Sequence, residues 1–277
     1  QMSTWDKHSE ISNFNQARAG EIITISDEFY EVLLLSKKIG ELSDGAFDIT
    51  VGPAVNWWGF GQAGENQNKS DLPDSIYQLI GYQKINIKEM NSLCKKFDNM
   101  SIDLSAIAKG YAVDCSASFL EEQGYTSFLV EIGGEIVVRG EKGEGNPWLI
   151  GVDRPVDNAI PGQNLTQILA LKNVALATSG DYRNFWKDKG RRYSHIIDPR
   201  TACPTDHQLA SVTVVAKNCA EADGFATAFS VLGHEKALEI VEKLPEIEAF
   251  FIVRTGENEF KEIFSSGFTK LLIEKGS

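Results

Sequence analysis

The stretch ASVTVVAKNCAEADGFATAFSVLGHEKALEIVEKLPEIEAFFIV, residues 210–253, decides the fold. It opens with a short, valine-rich apolar run, Ala210 to Ala216, bounded by polar residues, which reads as a buried strand. A long helical pattern follows from about Cys219 to Leu244 and breaks at Gly233; a second strand candidate, Ala249 to Val253, closes the stretch. One strand–helix–strand unit fits either a parallel sheet or an antiparallel sheet with a helix laid on it, so the surrounding chain must decide. Upstream, Phe128 to Ile132, Glu135 to Gly140, Trp148 to Val152 and Thr166 to Leu171 are all strand candidates. Strands and helices interleave without regular βαβ alternation, which favours α+β with largely antiparallel sheets over a doubly wound fold.

The N-terminal half is read in the same way. Ser26 is an N-cap candidate, with Asp27 and Glu28 in the first turn and Phe29, Val32, Leu33, Leu35, Ile39 and Leu42 at helical spacing. Lys84 to Lys88, Leu93 to Asp98 and Met100 to Leu104 read as short antiparallel strands. A helix is expected from about Ala106 to Glu122, ended by Gly124, and Ala63 to Ser75 reads as a polar surface loop. No repeat, low-complexity run or linker interrupts the chain, so residues 1–277 are expected to form a single large domain.

At 277 residues the chain can bury a sizeable core, and 42% hydrophobic with 24% charged residues is ordinary for a globular protein. A net charge of −12 argues against a nucleic-acid partner, which needs a basic face. The same charge would repel an anionic nucleotide unless a metal or local cations compensate. No run approaches the ~18 apolar residues of a membrane span. The four cysteines, Cys94, Cys115, Cys203 and Cys219, lack zinc-type spacing.

Walker A, HExxH, GxSxG and EF-hand patterns are absent, which removes the commonest NTPase and hydrolase readings. Gly59, Gly61 and Gly64 match GxGxxG, but Asn-Trp-Trp precedes them and a polar loop follows, so the strand and helix that a dinucleotide fingerprint needs are missing. Asp223 and Thr227 lie four apart on the expected helix, so they share a face. A carboxylate and a hydroxyl are hard donors suited to Mg²⁺, although such a pair can also be a plain polar face. In DLSAIAKG, Ser105 could cap the following helix; Lys109 could face an anionic nucleotide and Asp103 a ribose or adenine edge. A lone histidine, His195, sits in an apolar run and is either structural or a proton acceptor.

Six separated segments carry a further signal: STWDKHSEISNFN (3–15), DGAFDITVGPAVNWWGFG (44–61), IDLSAIAKGYAVD (102–114), ATSGDYRNFW (177–186), YSHIIDPRT (193–201) and AEADGFATAFSVLG (220–233). Together and in this order, over most of the chain, they resemble the ApbE family of flavin transferases. The resemblance implies an ApbE-like, T-fold-type α+β domain with mixed and antiparallel sheets packed with helices. It implies Mg²⁺-dependent transfer of FMN from FAD to a threonine of an acceptor protein, with release of AMP. Alternatives within it are an FAD pyrophosphatase, with water replacing threonine, and a non-catalytic FAD-binding protein.

By the same resemblance Asp223, Thr227 and the backbone carbonyl of Ala106 hold the metal. Trp5, Ala46, Phe47, Asp48, Asp103, Lys109 and Ile197 line the FAD site, and His195 or Asp181 takes the proton from the incoming hydroxyl. The region around Ser179, Gly180, Asp181 and Arg183 closes over the nucleotide. Relatives that hydrolyse FAD carry a smaller polar residue where Trp5 stands, so the aromatic leans toward transfer. The family continues DPRT with Gly where this chain has Ala202, which puts the loop geometry there in question. Glu131, Gly133 and Gly134 also match the family but receive no role. The chain opens at Gln1 in what reads as mid-domain, without the family's upstream strand and lipoprotein signal. The family's life is periplasmic, tethered to the inner membrane only through that N-terminal lipid. Its acceptors are flavoprotein subunits of membrane redox complexes of the sodium-pumping or electron-transport type.

Overall fold

A computed structural model describes residues 1–61, 72–88, 91–156, 160, 162–181, 185–188, 191–256 and 258–273. In chain order the elements are α1 (Glu10–Gln16), β1 (Ile23–Thr24), α2 (Asp27–Leu42), α3 (Gly52–Trp57), α4 (Asp74–Tyr77), β2 (Ile85–Lys88) and β3 (Ser92–Lys95). Then come α5 (Ala108–Glu122), β4 (Phe128–Ile132), β5 (Glu135–Arg139), β6 (Trp148–Asp153), β7 (Leu165–Leu171), β8 (Val174–Gly180) and β9 (Phe185–Asp188). The chain ends with β10 (Arg191–Ser194), β11 (Ile197–Asp198), β12 (Cys203–Pro204), β13 (Leu209–Ala216), α6 (Cys219–Leu232), α7 (His234–Val241), β14 (Glu248–Gly256) and β15 (Glu259–Phe264). The fold is α+β, with antiparallel sheets packed against helices.

Two compact units make up the chain: Gln1–Ala108 with Trp186–Asp206, and Lys109–Phe185 with His207–Ser277. Each is assembled from two separated segments, so no single linker marks either in the sequence.

The second unit is built on an antiparallel sheet of order β15-β14-β13-β8-β5-β4. β13 is buried at every position and pairs on both sides, Val214 with Ala177 of β8 and with Ala249 of β14. Side chains alternate across a strand, so each face of the sheet has its own core. On one face Val138, Leu176, Val215, Phe250 and Ile252 meet Ile150, Val152, Leu169 and Leu171 of the β6–β7 hairpin. On the other, Val137 and Ala175 pack with Val113 and Ala117 of α5 and Cys219 of α6. The helical break at Gly233 is a true one: its φ of 78° ends α6, and α7 starts afresh at His234.

In the first unit α2 is capped as its sequence predicts, with Ser26 Oγ accepting from Phe29 N at 3.3 Å. β1, β3 and β2 form a small sheet in that order. The segment Met100 to Leu104 is not a strand. Its alternating pattern is instead satisfied by a side chain: the Asn15 amide accepts from Ile102 N at 2.8 Å and donates to Ile102 O at 2.9 Å. α5 begins at Ala108 and not Ala106 because Ser105 spends its hydroxyl and its N–H on Asp103 and caps no helix.

A helix, α3, and not a strand, precedes the GxGxxG match, which removes the context of a dinucleotide fingerprint. Gly64, Arg183 and the loop expected from Ala63 onward fall outside the described residues as far as Asp71; among the described residues no helix is long and apolar enough to cross a membrane.

Candidate active site

Within the second unit the site grows from a close approach of two helices. A Cβ at Gly110 of α5 would lie 2.3 Å from the carbonyl oxygen of Cys219 and 2.8 Å from Cα of Ala220, so only glycine lets the α6 backbone pass here. The contact is locked by reciprocal capping. Asp114 of α5 accepts from the first N–H groups of α6, Cys219 N and Ala220 N, both at 2.8 Å. Asp223 of α6 accepts through Oδ2 from Gly110 N, in the first turn of α5, at 3.1 Å. Free N–H groups at helix starts are natural partners for carboxylates. Both carboxyls are nonetheless held above the ordinary aspartate range, chiefly by burial.

Asp223 has a second neighbour. Lys109 Nζ stands 3.9 Å from its Oδ1 and is bonded to Glu135 Oε1 at the start of β5. One ammonium thus faces two buried carboxylates, so the group carries excess negative charge. Burial, and then the Glu135 charge, push Asp223 up to about 6, against the lowering pull of Lys109 and the Gly110 N–H. Glu135 Oε2 is buried with no hydrogen-bond partner among the described residues. A buried, unpartnered carboxylate oxygen costs several kcal/mol of desolvation, roughly, unless something compensates.

These residues fit a small divalent cation. Asp223 and Thr227, one turn apart on α6, offer a carboxylate and a hydroxyl, and a single ammonium, Lys109, faces the two carboxylates of Asp223 and Glu135. Among the described residues no cluster of three or more His, Cys, Asp or Glu side chains is arranged to hold a metal. An ion held here would draw on hydroxyl or carbonyl oxygens beside Asp223, as magnesium sites commonly do. Thr227 is half-buried. Ala106 lies in the turn that leads into α5.

Asp181, at the end of β8, is buried and gripped by Arg254, whose Nη1 and Nη2 donate to its two oxygens at 2.8 and 2.5 Å. Both of its oxygens are thus engaged by one guanidinium.

The first unit gathers the other motif segments. Asp48 accepts from Thr50 N and Oγ1 at 2.8 and 2.6 Å through one oxygen and from Tyr82 N at 2.9 Å through the other. Thr50 Oγ1 in turn accepts from Gly81 N at 2.6 Å. Asp48 therefore staples its own loop and ties it to the Gly81-Tyr82 segment. Burial raises its pKa against these hydrogen bonds. Ala46 and Phe47 are buried. Asp103 N donates to Ile49 O at 2.7 Å, joining the DLSAIAKG and DGAFDI segments, while its Oδ1 accepts from Ser105 N and Oγ. Trp5 is 81% exposed and free to stack on a planar ligand.

His195 is half-buried in the bend between β10 and β11, edge-on to the Phe60 ring at 6.3 Å. Trp58 Nε1 donates to Ala202 O at 2.8 Å, and Ile197 and Ala202 pack with Ala54 and Ile80. Ala202 has φ 55°, the left-handed geometry that the DPRT turn demands and that glycine would take without strain.

Glu135 and Gly110 are the residues that sequence reasoning left without a role. Each stands inside a segment already singled out. A glutamate at an inward position of a strand opening after Gly133-Gly134 was the available signal for the first.

Comparison with known proteins places these observations. The family model described as "ApbE family" matches residues 1–251. The chain is 40% identical over 278 residues to a FAD:protein FMN transferase of Haemophilus influenzae, covering 98% of this chain and 79% of that protein. Among solved structures it is similar to the flavin transferase ApbE from Vibrio cholerae, with TM-score 0.85, 38% identity, and 98% and 85% of the two chains covered. It is also similar to the apo flavinyl transferase ApbE of Pseudomonas stutzeri, with TM-score 0.87, 37% identity, and 98% and 83% covered.

Proposed function

The chain belongs to the ApbE family, and from that premise we propose that it transfers FMN from FAD to a threonine hydroxyl of an acceptor protein, releasing AMP. The observation that carries this reading is the under-neutralised cluster of Asp223, Glu135 and Lys109 at the α5–α6 crossing. Asp223 and Thr227 would hold Mg²⁺, with the Ala106 carbonyl as a further ligand. When bound, the ion supplies charge neutralisation for the pyrophosphate and polarisation of its phosphorus.

The chain's own residues do the rest. Trp5 offers a face for the flavin or adenine ring, and the loop at Ala46, Phe47 and Asp48, stapled by the Asp48 carboxylate, lines the nucleotide site. Asp103 and the Ile197 backbone complete the contacts, and Lys109 adds positive charge. The threonine oxygen bonds to the FMN-side phosphorus, its proton passes to His195, and AMP leaves with the bridging oxygen. Positioning dominates the barrier lowering, as in other phosphoryl transfers. The natural setting would be the periplasm, with tethering through an upstream lipid and an acceptor subunit in a membrane redox complex.

The test is to incubate the protein with FAD and a threonine-bearing acceptor domain, in Mg²⁺ or in EDTA, and weigh the acceptor. An FMN-sized gain that needs Mg²⁺ and matches AMP release supports the proposal. Free FMN and AMP without acceptor labelling would replace it with a pyrophosphatase, and absence of AMP with a binding protein.

A further inference from the structure

We propose that Glu135 is the positioning residue that keeps Lys109 off Asp223 and so keeps the cation site open; this rests on the reading that Asp223 holds a divalent ion. Of the two Asp223 oxygens, Oδ2 already accepts the Gly110 N–H, which leaves Oδ1 for a cation. Oδ1 is also the oxygen that faces Lys109, at 3.9 Å. An ammonium that moved about one ångström closer would form a full ion pair with that oxygen and compete with the metal for it. What holds it back is Glu135, bonded to the same Nζ.

The two partners differ in freedom. The Lys109 side chain is 48% exposed and long enough to swing, whereas the Glu135 side chain is 3% exposed. Glu135 is pinned at the first position of β5, opposite Ile132, behind the Gly133-Gly134 turn. A buried glutamate with one oxygen unpartnered among the described residues is a costly way to build a strand. It becomes intelligible if its charge serves the neighbouring site twice, by restraining the lysine and by leaving net negative charge for a cation.

The experiment is Mg²⁺ titration of the purified protein by calorimetry, without FAD, for the unaltered chain, Glu135→Gln and the double variant Lys109→Met/Glu135→Gln. Glu135→Gln is expected to weaken Mg²⁺ binding at least ~10-fold, from the lost charge and the lysine closing on Asp223. The double variant removes the competitor and is expected to regain most of that loss. Thermal melts of all three separate folding from binding. Unaltered affinity in Glu135→Gln overturns the inference alone, as does a double variant no better than the single. No Mg²⁺ binding by the unaltered protein overturns the cation reading beneath it as well.

Discussion

The two units spend their carboxylates differently. In the first, Asp48 turns its oxygens on two backbone N–H groups and a hydroxyl, Asp103 on its own turn, and Asp198 on Arg200. Asp48 and Asp198 are spent on the loops they shape, and Asp103 commits one oxygen to its own. In the second, Asp114 and Asp181 are engaged in the same way, but Asp223 has one oxygen committed to a helix start and one facing a shared lysine, and Glu135 keeps a buried oxygen with no partner among the described residues. A carboxylate with its acceptors filled builds structure; a buried one left short of positive charge is where the proposed cation would supply it. Residue type does not separate the two cases, since both kinds stand in segments that resemble the family.

The sharpest way to break this contrast is to neutralise one acid of each kind. Asp223→Asn is expected to cost more than ~100-fold in Mg²⁺-dependent FMN transfer while the melting temperature holds or rises, because a poorly solvated charge is removed. Asp48→Asn should do the reverse in kind, losing roughly 1–3 kcal/mol of stability as an amide donor meets backbone donors. Urea unfolding alongside acceptor labelling reads both; a stable, inactive Asp48→Asn variant would erase the distinction between the units.

Next in size is the crossing itself. Gly110→Ala drives a methyl into the Cys219 carbonyl and should destabilise by about 3 kcal/mol, read as a lower urea midpoint. A variant of normal stability would mean the helices can part without cost, and the site would lose its rigid frame.

The pH dependence sharpens the claim about charge. The Asp223 carboxyl titrates near 6 in the folded protein, above the ordinary value of ~4 for an unfolded chain. The folded state therefore holds the extra proton between these values. Metal-free stability from this group falls as pH rises from about 4 to about 6. Mg²⁺ needs the ionised form, so its affinity should fall as pH drops below about 6, approaching tenfold per unit, and level off above. Calorimetric titrations at several pH values check this; a flat profile would detach Asp223 from the ion.

The smallest expected effect lies in the first unit. Ala202→Gly relieves a left-handed alanine but removes a buried methyl, so stability should change by less than ~1 kcal/mol. A large loss in chemical denaturation would show that the methyl, packed with Ala54 and Ile80, matters more than the backbone.

Much of this was legible in the sequence. β4 to β7, β13 and β14 declare themselves through apolar runs bounded by turn residues, and α2 through its serine cap and spacing. β8 did not: VALATSG is small and weakly strand-like, yet it lies between β13 and β5 and against α6, where small side chains are what fits. Met100 to Leu104 failed in the opposite sense, since alternation cannot tell a paired strand from an extended segment held by Asn15. Asp223 and Thr227 were visible through helical spacing. Glu135 was not, because its meaning arises only when a distant strand is folded against the start of α5.

The central claim is that Asp223 and Thr227 hold the divalent ion used in flavin transfer. Anomalous diffraction from crystals soaked with Mn²⁺ and FAD tests it most directly. The account predicts a manganese peak within bonding distance of an Asp223 carboxylate oxygen and the Thr227 hydroxyl. A peak elsewhere, or none beside α6 while FAD is bound, would contradict it.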